Sequence, residues 1–259
     1  MRLATWNING MNARREYLLH WLRDVQPDVV GLQETKISDE QFQVAVFEDL
    51  GYHCSFHGQK GWNGVAILSR SPGHVTQIGL PGQEDSGARL LTVQVEGISL
   101  SSLYCPNGKS LGHENFARKL SWLDSLIEHI AAQHRPEDPV VLGGDFNVVP
   151  TALDTWNEQA LRGELFHTDA ERSRIQRLVD WGFVDIFRDR HPDEHGFTWW
   201  DYRAGAFHKQ QGLRIDLVLA THPVAQRVTA IEIERRWRKK VDGLIPSDHA
   251  PVWFDLAGS

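Results

Sequence analysis

Apolar and polar positions alternate along this chain with two different periods. Dense apolar runs, rich in β-branched residues, occur at 2–8, 28–33 and 139–149 and predict buried strands. Further strand-like runs at 52–57, 64–69, 88–95 and 98–104 lie between glycine and proline turns, which predicts antiparallel strands. Further strands are predicted at 183–187, 197–200, 213–220, 228–234 and 251–256. Helical spacing takes over elsewhere. Leu18, Trp21, Leu22 and Val25 share one face of a helix that Asn12 would cap and Pro27 would end. Phe116, Leu120, Leu123, Ile127 and Ile130 mark a long amphipathic helix. Helices are also predicted at 38–50 and 169–181.

The texture of the first half returns in the second, with strands inside and helices outside. That predicts a four-layer α/β/β/α sandwich of two mixed sheets flanked by helices, in a single domain over residues 1–259. A doubly wound parallel sheet fits less well, because the helices are too few and the hairpins too many. There is no low-complexity stretch or linker.

Composition narrows the picture. No run of about 18 apolar residues is present, so no membrane span is expected. The N-terminus runs straight into a strand pattern and lacks the features of a signal peptide. Two cysteines, Cys54 and Cys105, are too few for a disulfide framework or a zinc site, and a cytoplasmic protein is expected. The net charge of −7, from 27 Lys+Arg against 34 Asp+Glu, argues weakly against a polyanionic partner. Acids gathered around a metal would lower the total while a basic face elsewhere met phosphates.

The candidate chemistry lies at strand ends. In PVVLGGDFNVV, a buried strand runs through Gly143 and Gly144 onto Asp145 and Asn147. Those two side chains share a side if strand geometry persists. Asn7, Glu34, Tyr104, Asp216, Asp248 and His249 also close or flank predicted strands. Singly each has an ordinary explanation. Asn7 and Asp248 suit turns, Glu34 suits a surface, Asp216 could pair with Arg214, and His249 could be a satisfied core histidine. Together they make one polar end of a sandwich.

The blocks WNINGMNARR, LQETK, GWNGVAILS, YCPNG, GGDFNVVPTALD, FTWWDYR, GLRIDLVLA and PSDHAPV, in this order, span nearly the whole chain. This set resembles the exodeoxyribonuclease III family of DNA-repair nucleases, within the wider exonuclease–endonuclease–phosphatase superfamily. FTWWDYR and GLRID point to its bacterial branch. The resemblance implies the four-layer sandwich and a Mg²⁺- or Mn²⁺-dependent hydrolase acting as a monomer on double-stranded DNA with damaged or 3′-blocked ends. Its implied activities are 3′–5′ exonuclease and 3′-phosphatase, with incision at abasic sites as a further or even main activity. It implies a metal environment of Asn7, Glu34, Asp145, Asn147, Asp248 and His249, hard ligands for the most part. It assigns catalytic roles to Tyr104, Asp145, Asn147, Asp216 and His249, with Asp216 orienting His249. Whether Asp145 or His249 is the base stays open.

For DNA contact the resemblance and the charge pattern select Lys36, His167 and Arg172, with Trp199, Leu213 and Ile215 walling a pocket for a base-less sugar. The basic runs at 235–240 and 172–177 are further phosphate candidates, or simply solvated faces. Phe166 and His167 are bulky for their loop, and a side chain projecting there would favour 3′-terminal work over internal incision. Two other readings compete: a small-molecule or lipid-headgroup phosphatase of the same superfamily, and an inactive DNA-binding scaffold. The FTWWDYR block argues against the first and the intact acids against the second.

Overall fold

The computed structural model describes residues 1–258. Twelve strands form two six-stranded sheets. The first holds β1 (Arg2–Asn7), β2 (Val29–Gln33), β3 (His53–His57), β4 (Val65–Ser69), β11 (Val228–Ile233) and β12 (Val252–Leu256), in the order β11-β12-β1-β2-β4-β3. The second holds β5 (His74–Ile78), β6 (Leu90–Val95), β7 (Ile98–Tyr104), β8 (Val140–Asp145), β9 (Phe183–Asp185) and β10 (Asp216–Thr221), in the order β5-β6-β7-β8-β10-β9. Both sheets have the same wiring. A central parallel pair, β1–β2 or β7–β8, is joined by a crossover helix, and an antiparallel pair flanks it on each side. The crossover helices are α1 (Met11–Val25) and α3 (Glu114–Gln133), with the short α2 (Val44–Glu48) between them in the chain.

Strand alternation sorts side chains into layers. Leu3, Val29, Ile67, Val141 and Val218 face the core between the sheets. Their neighbours Ala4, Val30 and Leu68 face α1, with Trp21 and Leu22. Leu142 and Leu219 face α3 and the helix at Asp169–Trp181, with Trp122, Leu126 and Leu178. These three apolar layers make the predicted four-layer sandwich. No helix among the described residues is long and apolar enough to cross a membrane.

Several local expectations need correction. Helix α1 starts at Met11 with Gly10 before it, and Asn12 is an exposed helical residue rather than a cap. Residues 38–50 hold only a 3₁₀ turn at Asp39–Gln41 and a short helix, Val44–Glu48. Residues 197–200 do not form a strand; Trp199 makes single bridges to Leu213 and His249. Strand β9 stops at Asp185, whose side chain caps the helix Ile186–Arg190. Strand β5 was not expected; its apolar side chains are only half covered at a sheet edge. The buried face of α3 includes Lys119 in place of Leu120.

Candidate active site

The wiring brings strand ends from both sheets to one place. Asn7 closes β1, and Glu34 directly follows β2. Tyr104 closes β7 and sits in register with Asp145, the end of β8. Asp145 in turn pairs across to Asp216, the first residue of β10. His249 lies just before β12. Two carboxylates directly opposite one another in a ladder repel, so this arrangement serves something other than stability. Gly144 is required here: a Cβ would lie 2.0 Å from the Leu103 carbonyl oxygen.

The centre is a histidine between two acids. Asp216 Oδ2 and His249 Nδ1 are 2.8 Å apart, and His249 Nε2 faces Asp145 Oδ2 at 3.8 Å. All three residues are buried. The Thr198 hydroxyl accepts from the backbone N–H groups of Ile215 and Asp216, fixing the start of β10. The second Asp216 oxygen is buried without a partner. Burial works against charge on His249, but Asp216, together with Asp248 and Asp145, outweighs it and raises the imidazole to about 10. The ring is therefore cationic at neutral pH, and its Nε2–H is a donor. Burial raises Asp145 strongly; His249 opposes this, while Asp216 and Glu34 add to it. A carboxylate raised in this way is a better proton acceptor. Burial, with Glu34 and Asp145 nearby, pushes the Tyr104 phenol well above its ordinary value, so it stays neutral.

Glu34, Asp145 and His249 present ligand atoms within 4.8 Å of one another. Two carboxylates with a charged imidazole beside them suit a hard cation that keeps several of its waters. Asn7 was expected as a ligand, but its Nδ2 donates to Glu34 Oε1 and Asp145 Oδ2, both at 2.9 Å, while its Oδ1 accepts from the Asn9 backbone N–H. In this arrangement Asn7 ties the two acids together through its amide N–H groups. At Asn147 the expected strand geometry does not persist. The strand ends at Asp145, and Asn147 is left-handed at φ 51°. Its backbone N–H donates to Asp145 Oδ1 and its Nδ2 to the Cys105 carbonyl. Asp248 stands outside the cluster: Asn9 Nδ2 and Trp199 Nε1 each donate to one of its oxygens, at 2.8 and 3.0 Å. Burial raises Asp248, but His249 and these two bonds overrule it and leave it lowered.

The expected DNA contacts divide. Lys36 is at the site, paired with Glu34 at 2.7 Å and donating to Asn9. Leu213 and Ile215 are buried beside partly buried Trp199, in one apolar cluster with Val149 and Phe166. His167 does not project from its loop. It is 2% exposed, with one ring nitrogen 2.9 Å from the Leu165 carbonyl and the other 3.1 Å from Thr155 Oγ1. Arg172 is held bidentately by Glu158, and Arg174 and Arg177 both engage Asp124. Arg238 is buried against the Ser247 carbonyl. The 172–177 run is thus neutralised from within, whereas in the 235–240 run Arg236 pairs with Asp24 and Glu234 and Arg235, Lys239 and Lys240 stay exposed.

Three contributors were missed. Asn9 joins Asn7, Lys36 and Asp248; its place two residues after Asn7 was the available signal. Ser247 ties His249 to β1 through the Asn7 carbonyl. Lys119 reaches the Asn147 carbonyl from below, and its signal was a lysine on an apolar helical stripe. Backbone strain also collects here. Asn9, Glu34, Lys36 and Asn147 all have φ between 48° and 56°, which costs roughly 1–3 kcal/mol each and persists only where surroundings enforce it.

A cationic histidine held by one buried acid and facing another, at the strand ends of a four-layer sandwich, is an arrangement for hydrolysing phosphate esters. Residues 4–249 match the endonuclease/exonuclease/phosphatase family, and the chain belongs to it. It is 36% identical to exodeoxyribonuclease III of Haemophilus influenzae, over 99% of this chain and all of that one. A 3′ phosphatase from Neisseria, bound to a product DNA hairpin, superimposes with a TM-score of 0.93 at 33% identity over the full length of both chains. An AP endonuclease from Archaeoglobus fulgidus gives 0.94 at 32% identity, over 99% of each.

Proposed function

We propose that this protein is a DNA-repair nuclease of the exodeoxyribonuclease III type, hydrolysing phosphodiesters and phosphomonoesters at DNA 3′ ends. The observation that carries the reading is the Asp216–His249–Asp145 line beside Glu34, in a chain that resembles such enzymes from end to end. Water attacks phosphorus in line with the leaving oxygen. Asp145, poised as a base, accepts the water's proton. His249 Nε2–H donates to a phosphate oxygen, and the charge gathering there is stabilised by this fixed cation. Asn147 uses one amide hydrogen on Cys105 and keeps the other for a substrate oxygen. Tyr104, neutral, donates to the phosphate or the leaving oxygen. Glu34 and Asp145 would hold Mg²⁺ or Mn²⁺, which when bound adds positive charge at the phosphate. Action as a monomer in the cytoplasm is part of the same proposal.

Incision at internal abasic sites is a second activity. The Trp199, Leu213 and Ile215 cluster beside Asp248 favours it; His167 turns inward, while Phe166 packs into that same cluster. The test is turnover of a duplex carrying a 3′-phosphate nick, an abasic duplex and an inositol phosphate, each with Mg²⁺ and with excess chelator. The reading expects cleavage of the DNA substrates only with metal. Preference for the inositol phosphate, or full activity in chelator, would sink it.

A further inference from the structure

Lys119 and Glu171 are both 0% exposed and form an ion pair inside the protein. A fully buried pair of this kind is a weak source of stability, since desolvation offsets the attraction. Its position is informative. Lys119 projects from α3 toward the active site, and its Nζ donates to the Asn147 carbonyl at 2.6 Å and approaches the Asn107 carbonyl at 3.5 Å. Asn147 is the left-handed residue whose N–H holds Asp145 Oδ1 at 2.9 Å. Its main chain is thus fixed on one side by the proposed base and on the other by Lys119.

Glu171 extends the connection to the pocket side. Its carboxylate accepts from the backbone N–H groups of Phe166 and Thr168 and from the Thr168 hydroxyl. The Phe166 ring lies 4.7 Å from the Lys119 ammonium and belongs to the cluster of Leu213, Ile215 and Trp199. One buried pair therefore touches both the loop carrying the base's hydrogen-bond donor and the loop behind the apolar pocket.

We infer that Lys119 and Glu171 are positioning residues for this reaction: through Asn147 they hold the Asp145 carboxylate, and through Phe166 they set the apolar wall against it. The inference rests on the nuclease reading above. A misplacement of about 1 Å at a reacting group lowers rates by roughly 100-fold, so Lys119→Met is expected to lower kcat on a 3′-phosphate duplex by about that factor. KM and the Kd for product duplex should stay within about 2-fold. Lys119→Arg, which restores a donor to the Asn147 carbonyl, should recover part of the loss.

The single variant leaves Glu171 buried without its cation, which by itself lowers stability. The double variant Lys119→Met, Glu171→Gln removes both charges. It should melt close to the wild type, because deleting both members of a buried pair is often neutral, and yet keep the low kcat. Wild-type kcat in the double variant would overturn the inference, as would its failure to fold, which would assign the pair to stability. Absence of turnover by the wild type would instead count against the nuclease reading.

Discussion

Two buried acidic clusters lie side by side, and they are built on opposite principles. In one, Asp154 and Asp185 meet Arg188 and Arg214. Asp154 Oδ1 accepts from both arginines, its other oxygen accepts from Thr151, and Asp185 takes a bidentate pair from Arg214. In the other, Glu34, Asp145 and Asp216 have His249 and Lys36 against them, and a buried Asp216 oxygen has no partner. Arg214 and Asp216 are two residues apart, yet the arginine joins the first cluster and the aspartate the second. The outcome appears in the acids themselves. Burial pushes Asp154 upward, but Arg214, with Thr151 and Arg188, more than reverses it, leaving the carboxyl lowered. Asp145, equally buried, is left raised. The neutralised cluster is scaffold, and the one with an acid surplus is built to gain from added positive charge or a moving proton.

The sharpest way to break this comparison is to change one acid in each cluster. Asp145→Asn should lower turnover by roughly 10²–10⁴-fold, while DNA binding and thermal stability hold or improve, since an acid that burial disfavours is lost. Near wild-type turnover on a 3′-phosphate duplex would contradict the contrast. Asp154→Asn should do the reverse. Breaking a buried pair costs about 3 kcal/mol or more, visible in denaturant melts, with kcat of the folded fraction close to wild type.

Acid titration separates the clusters more gently. Asp154 is lowered from 3.8 in the folded protein, so its contribution to stability is complete above about pH 4 and is lost as pH falls through its folded value. Melts between roughly pH 5 and 2 should show Asp154→Asn losing less stability on acidification than the wild type. Equal slopes would remove Asp154 from the acid response. The smallest effect is expected outside both clusters. Arg172 is already held by Glu158, partly exposed, so Arg172→Ala should cost about 0.5–1 kcal/mol and leave duplex affinity nearly unchanged. A large fall in affinity would return Arg172 to the DNA surface.

How far the sequence carries depends on the range of the interaction. Buried strands were visible because β-branched runs such as 28–33 and 139–145 have no other stable use. The edge strand β5 was not, because its pattern is only half covered. Helix 38–50 failed since its apolar positions pack as a turn and a short helix around Phe42 and Phe47. At the site, the acids and His249 could be named from their places at strand ends. Arg172 and His167 were named from type and neighbourhood, and the structure gives both other partners.

What the chain by itself determined is the four-layer order, the family and the inventory of reactive groups, because periodicity and local motifs are short-range properties. Tertiary structure alone decided which charges are neutralised and which are left in surplus. Asn7 meets Asp145 across 138 residues, Lys119 meets Glu171 across 52, and Arg214 meets Asp154 across 60. A carboxylate's role follows from its partners and its burial, and both are fixed only when those distant segments pack.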